Sequence, residues 1–279
     1  MGHKHKETQY YEGDLKGVFD THAHLYDERI EPAECLMRAK SAGVDKILVP
    51  ADNLESSHKA IDFATRHNSD EIAIWAAVGV HPHEASGYNA EVEAELMKLL
   101  SDREALRIAA LGEIGLDYYY DLSPRPIQQE VFKRQLEIAK EADIPFILHE
   151  RDATGDCLAI LTEAFKSGML RKNPGVCHCC GMSVESAQIM LKMGFYIGFD
   201  GPLTYKNNRR GIELIKACPP DRIVVETDTP YLTPEPNRGK TNEPCFVPYV
   251  IEKIALERGM TAAEVAKLTS DNGIALYEL

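Results

Sequence analysis

The chain lacks any hydrophobic run of membrane-spanning length. Its first residues, Met1 to Gly17, are polar and charged where a secretory leader would be apolar. It has no internal repeat, no low-complexity tract and no Gly/Ser-rich linker, so a single domain over 18–279 is expected behind a polar N-terminal extension, 1–17. Within that extension His3, Lys4, His5 and Lys6 read as a solvated charged tail. Positive charge is short as well: 31 Lys and Arg against 44 Asp and Glu give a net charge of -13. That excludes a broad basic footprint for nucleic acid and leaves only local contact, at an end held in a pocket. A disulfide framework is also missing. Seven cysteines are an odd number, and most lie in apolar segments, which points to reduced thiols and a cytoplasmic protein. Cys177 and Cys180 form a lone C-x-x-C with no second pair, and strand alternation would send them to opposite faces, so a zinc site is not expected there.

What the chain does have is a regular alternation of strand-like and helical segments. The strand candidates are Val18–Leu25, Lys46–Ala51, Ile72–His81, Arg107–Leu116, Pro145–His149, Gly175–His178, Phe195–Phe199 and Arg222–Asp228. Helices are signalled between them by Pro32, by Pro126 and by Ser183 with Gly194 after it, and Thr261 caps the last of two C-terminal helices. Eight β-segments alternating with amphipathic helices predict an α/β fold, a somewhat distorted (βα)8 TIM barrel. At 279 residues the length suits one such barrel.

Metal-type side chains fall at the ends of these strands. They are His22, His24, Glu113, His149, His178 and Asp228. Barrel active sites form at the carboxyl ends of strands, and imidazoles with carboxylates hold divalent cations, so the pattern predicts a metal-dependent hydrolase. In Val18 to Leu25, alternation puts Asp20, His22 and His24 on one face, offering two imidazoles from one segment. Glu113 is a carboxylate inside an apolar segment; it needs either cations, which it can bridge, or an arginine partner. Glu226 and Asp228 share a face. Asp228, nearer the mouth, is the candidate ligand and general base, while Glu226 and Asp20 lie deeper and orient ligands from behind.

Substrate contacts are less sharply marked. Arg151 shares a face with His149 and suits a bidentate grip on phosphate, unless it pairs with Asp152. His81, after the third strand, either meets substrate or caps the next helix. Arg238 and Lys240 lie in a Pro/Gly-punctuated loop after the eighth strand, where barrels build phosphate clamps.

Taken in order, Asp20-Thr21-His22-Ala23-His24-Leu25, Gly79-Val80-His81-Pro82, Gly112-Glu113-Ile114-Gly115-Leu116-Asp117-Tyr118, His149-Glu150-Arg151-Asp152 and Val225-Glu226-Thr227-Asp228-Thr229-Pro230 resemble the TatD family of metal-dependent deoxyribonucleases. Arg238 to Pro244 and Thr269-Ser270-Asp271-Asn272 extend the resemblance to the C-terminus. It implies a distorted TIM barrel with two divalent cations, magnesium before manganese or zinc. His22, His24, Glu113 and Asp228 would hold one ion, and Glu113, His149 and His178 the other. It further implies 3′-5′ exonuclease action on DNA ends, preferably single-stranded, with Glu113 and Asp228 catalytic. One departure stands out: after His178 the family shows Cys, an aromatic, then Ser or Thr, whereas this chain has Cys179-Cys180-Gly181. Cys180 at a mouth-facing position would open the pocket or remove a stacking platform. The rival expectations are hydrolysis of a carbon-centred bond (lactone, amide or aminoacyl ester) and, from another class, a non-catalytic scaffold.

Overall fold

The structure is a computed structural model describing residues 7–279; the His3–Lys6 tail lies outside the described residues. All eight predicted strands form, as β1 (Val18–Asp20), β2 (Val44–Val49), β3 (Ala73–Val78), β4 (Ile108–Asp117), β5 (Phe146–Arg151), β6 (Gly175–Cys177), β7 (Tyr196–Phe199) and β8 (Ile223–Val225). They make one parallel sheet in sequential order. The ring is brought together just beyond β1, where the Thr21 N–H donates to the Val225 carbonyl and Ala23 bridges Thr229 in parallel. Helices α1 (Pro32–Ser41), α2 (Leu54–His67), α3 (Ala90–Ser101), α4 (Arg125–Glu141), α5 (Thr154–Lys166), α6 (Val184–Lys192) and α7 (Arg209–Ala217) follow strands one to seven, and α8 (Val247–Arg258) and α9 (Ala262–Tyr277) end the chain.

Start signals act as their chemistry requires. Pro32 occupies the first turn of α1, where its missing N–H costs nothing, and Ser183 accepts from the Ser186 N–H to cap α6. Thr261 and Glu264 form a reciprocal capping box on α9.

The core has two layers. Inward side chains of the strands, among them Phe19, Leu48, Ala110, Ile147 and Val224, fill the barrel with Leu276 and Tyr277 of α9. A larger apolar layer lies between sheet and helices. Gly273 lets α9 close on the barrel, since a Cβ there would stand 2.6 Å from Phe19 Cδ1.

The regular strands are shorter than the sequence pattern suggests. β1 stops at Asp20, β3 at Val78 and β8 at Val225, leaving His22, His24, His81 and Asp228 on irregular backbone past the ladder. Asp228 even has a left-handed φ of 59°. The cause is side-chain competition for the backbone. Asp20 accepts from the Thr227 N–H (2.9 Å) and hydroxyl (2.7 Å), tying the end of β1 to the end of β8 in place of ladder bonds.

Part of the polar N-terminal extension is docked on the barrel. Gln9 exchanges hydrogen bonds with Asn237, Tyr10 stacks on Phe246 and Leu15 is buried. No helix among the described residues is long and apolar enough to cross a membrane.

Candidate metal centre

Six predicted side chains converge at the carboxyl end of the barrel. His22 Nε2 lies 3.2 Å from His24 Nε2, and Glu113 Oε1 is 3.4 Å from both. The other oxygen of Glu113, Oε2, faces His149 Nδ1 at 3.5 Å and His178 Nε2 at 3.9 Å. Asp228 Oδ1 completes the set, 3.6 Å from the His22 and His24 nitrogens and 3.7 Å from His178 Nε2. His81 stands beside the second group, within reach of the same donor cluster as Glu113 and His149.

The hydrogen-bond partners behind the imidazoles decide which nitrogen faces the centre. Asp117 Oδ2 accepts from Nε2 of both His149 (3.0 Å) and His83 (2.9 Å), so His149 turns Nδ1 toward Glu113. Glu226 Oε1 stands 3.0 Å from His178 Nδ1 as an ion pair without hydrogen-bond geometry, and Nε2 faces Glu113 and Asp228. His24 Nδ1 donates to the Tyr26 hydroxyl (3.1 Å), which donates onward to Asp52 (3.3 Å). His22 Nε2 and His24 Nε2 lie 3.2 Å apart, with Glu113 Oε1 3.4 Å and Asp228 Oδ1 3.6 Å from each of them. Donors bound to one ion at about 2.0–2.1 Å stand roughly 3.0–3.4 Å apart, close to the separations seen here, so the residues fit metal.

Electrostatics agree with this division of labour. Burial alone would push the Glu113 carboxyl up, but His22, then His149 and His24, outweigh it and hold it well below the usual range. Asp228 is likewise kept ionised, burial being overcome by His24, His178 and His22. Burial opposes the charged form of His178 and His149 too. Yet Glu226, followed by Asp228 and Glu113, lifts His178 to about 10, and Asp117 with Glu113 lifts His149 to about 9. His22 moves down, through burial and the neighbouring His178 ring stacked on it at 3.5 Å.

The orienting residues sort differently from the sequence pattern. Glu226 does stand behind a ligand-type imidazole, and Gly198 makes room for it, because a Cβ there would lie 2.4 Å from Glu226 Oε1. Asp20 touches only the backbone N–H of His22, at 3.3 Å, and serves mainly to join β1 to β8. Asp117, Tyr26 and Asp52 were not singled out as site residues. Asp117 ends a strand as the ligand-type residues do, the one local signal that could have marked it. Asp200, at the end of β7, is another buried acid beside the site, pushed up to about 8 by burial and by Glu226.

The substrate-type residues divide. Arg151 lines the cleft, has no ion pair with Asp152, and lays its guanidinium over Tyr119 at 4.0 Å. His81 also lines it while capping a short 3-10 turn, its Nδ1 accepting from the His83 N–H at 3.1 Å. Arg238 and Lys240 are not brought into the cleft: Arg238 packs over Tyr205 at 4.0 Å, in a loop anchored to Gln9 through Asn237. Cys180 does not line it either. β6 ends at Cys177, so strand alternation does not reach Cys180, which packs against the same apolar layer as Cys177. No metal-type cluster among the described residues includes a cysteine.

Imidazoles and carboxylates gathered at the strand ends of a parallel barrel define a metal-dependent hydrolase. The model of the family described as TatD related DNase matches residues 19–278. The chain is 41% identical to the metal-dependent hydrolase YabD of Bacillus subtilis, covering 94% of this chain and 99% of that one. It is 34% identical to the 3′-5′ ssDNA/RNA exonuclease TatD of a Rahnella species, over 94% of this chain and 97% of the relative. Among solved structures, the Escherichia coli TatD homologue YjjV superposes with a TM-score of 0.85 at 28% identity, covering 94% and 98% of the two chains. The chain therefore belongs to the TatD-related DNase family.

Proposed function

We propose that this protein is a two-cation exonuclease that hydrolyses phosphodiester bonds at the 3′ end of single-stranded nucleic acid. The observation that carries the reading is the split of Glu113, one oxygen toward His22 and His24 and the other toward His149 and His178. On this reading His22, His24, Glu113 and Asp228 hold one ion, and Glu113, His149 and His178 the other. Magnesium is the proposed metal, with manganese and zinc as alternatives. Bound cations supply Lewis-acid charge that offsets the negative charge gathering on phosphoryl oxygens.

The chain's own residues do the rest. Asp228 is the more open of the two central carboxylates, its side chain 14% exposed against 4% for Glu113, and it is the general base that takes the proton of the attacking water. Arg151, free of any carboxylate partner, holds a phosphate oxygen, and His81 borders the same position. Arg238 and Lys240, off the cleft, contact the strand further from the cleaved bond. A net charge of -13 favours a single held end over a long duplex. The free thiols fit a cytoplasmic location. A metal-reconstituted panel of single-stranded DNA, RNA, duplex DNA, circular single strands, an ester and a lactone tests the proposal. Linear single strands should be degraded fastest. Equal cutting of circular strands would refute end recognition, and rapid ester or lactone hydrolysis without nuclease activity would refute the substrate class.

A further inference from the structure

The cleft that holds the metal-type residues encloses about 600 Å³, and among the described residues Arg151 is the only arginine or lysine in its lining, beside Asp27, Asp52, Glu84, Asp117 and the central acids. A polyanion gains little there from fixed positive charge. The same lining carries two large aromatic side chains that are unusually open for their size, Tyr120 at 53% and Tyr231 at 50% exposed. They follow β4 and β8. These strands are four places apart in the sheet order, and both rings line the one cleft.

Each ring is braced from its own side. Tyr120 packs edge-on to His83 at 5.5 Å and to Tyr119 at 4.9 Å, with the Arg151 guanidinium 4.8 Å from its centroid. Tyr231 packs edge-on to His24 at 6.4 Å, and Arg29 lies 4.6 Å from its centroid, fixed by a two-pronged pair with Asp27 at 2.7 and 2.8 Å. Two braced aromatic rings in the lining of one cleft poor in cations are suited to flat, apolar-faced groups.

We propose that Tyr120 and Tyr231 form a clamp for unpaired nucleobases, gripping bases on either side of the phosphate that Arg151 meets. The inference rests on the nucleic-acid reading above and supplies its specificity. Bases inside a duplex already have both faces stacked and their edges paired, so a strand must unstack before it enters, at a cost of a few kcal/mol that an unpaired end avoids. Every base has a π face, so the clamp selects single strands without selecting sequence.

The test is binding by fluorescence anisotropy, with calcium in place of magnesium to slow hydrolysis. The probes are a labelled oligothymidylate and the same backbone with abasic terminal residues, so the phosphate count is equal. The wild-type protein should bind the base-bearing probe about tenfold more tightly, which corresponds to about 1.4 kcal/mol, within the usual range for one base–ring stack. Tyr120→Leu and Tyr231→Leu keep apolar bulk at exposed positions, and each should erode that preference; together they should abolish it while metal content stays at the wild-type level. Equal binding of both probes by the wild type, or a full base preference in the double variant, would overturn the clamp. If DNA is cleaved without base dependence, the clamp falls and the nuclease reading stands. If base preference appears with no cleavage under magnesium, manganese or zinc, the nuclease reading falls and the clamp stands.

Discussion

Asp117→Asn isolates the link between hydrogen bonding and metal binding at one side of the centre. In the wild type, Asp117 Oδ1 accepts from the backbone N–H groups of Tyr119 (3.0 Å) and Tyr120 (2.9 Å), while Oδ2 accepts from His83 and His149. Asparagine keeps one oxygen, and only an oxygen can serve the two backbone donors. Its NH2 group must then face both imidazoles. His149 can accept from it only with a lone pair at Nε2, which moves the ring proton of the neutral form to Nδ1, the nitrogen turned toward Glu113 at 3.5 Å. The donor atom is thereby blocked by a hydrogen. Losing an outer partner of a metal-bound histidine typically costs about 10–100-fold in affinity, roughly 1.4–2.7 kcal/mol, and an inverted tautomer puts this variant at the upper end. Isothermal titration with manganese should show one of two binding events weakened by about 100-fold and the other little changed, with activity partly restored at high metal. His83→Ala, which leaves the Asp117–His149 pair intact, should retain both events. Wild-type affinity at both sites in Asp117→Asn would refute the reasoning.

Two further outcomes are expected. Asp228→Asn, assayed at saturating metal, should lower kcat by about 10²–10⁴ while KM changes little, as loss of a general base requires; an unchanged kcat at every pH would assign the proton transfer elsewhere. His149 and His178, lifted to about 9 and about 10, lie above the unfolded value of about 6.5, so their support of the metal-free fold is complete below that value and is lost as pH rises through 9 to 10. A cation competes with those protons. Metal affinity should therefore rise with pH over the same window, and loading near pH 8 should release protons, measured by titration calorimetry in buffers of different ionisation enthalpy; heats independent of buffer would contradict it.

The sequence by itself determined the eight-fold alternation, the barrel and the identity of the six converging side chains. These follow from features local to the chain: apolar periodicity, capping residues, and ligand-type residues placed where a parallel strand ends. Alternation even paired His22 with His24 correctly, although the ladder itself ends at Asp20. Only the tertiary structure decided what stands behind each imidazole. Asp117 meets His149 because β4 pairs with β5, and Glu226 meets His178 across the barrel's end, 48 positions further along the chain. It also decided which cations reach the cleft. Arg238 and Lys240 carry the right charge in a suitable loop, but packing on Tyr205 and anchoring to Gln9 turn Arg238 and its loop away. Closure of β8 onto β1 joins Thr227 to Asp20, 207 positions apart, and brings Tyr231 to the cleft that Tyr120 also lines. Such contacts depend on how the ring closes, and closure is a property of all eight strands together, absent from any local stretch of sequence.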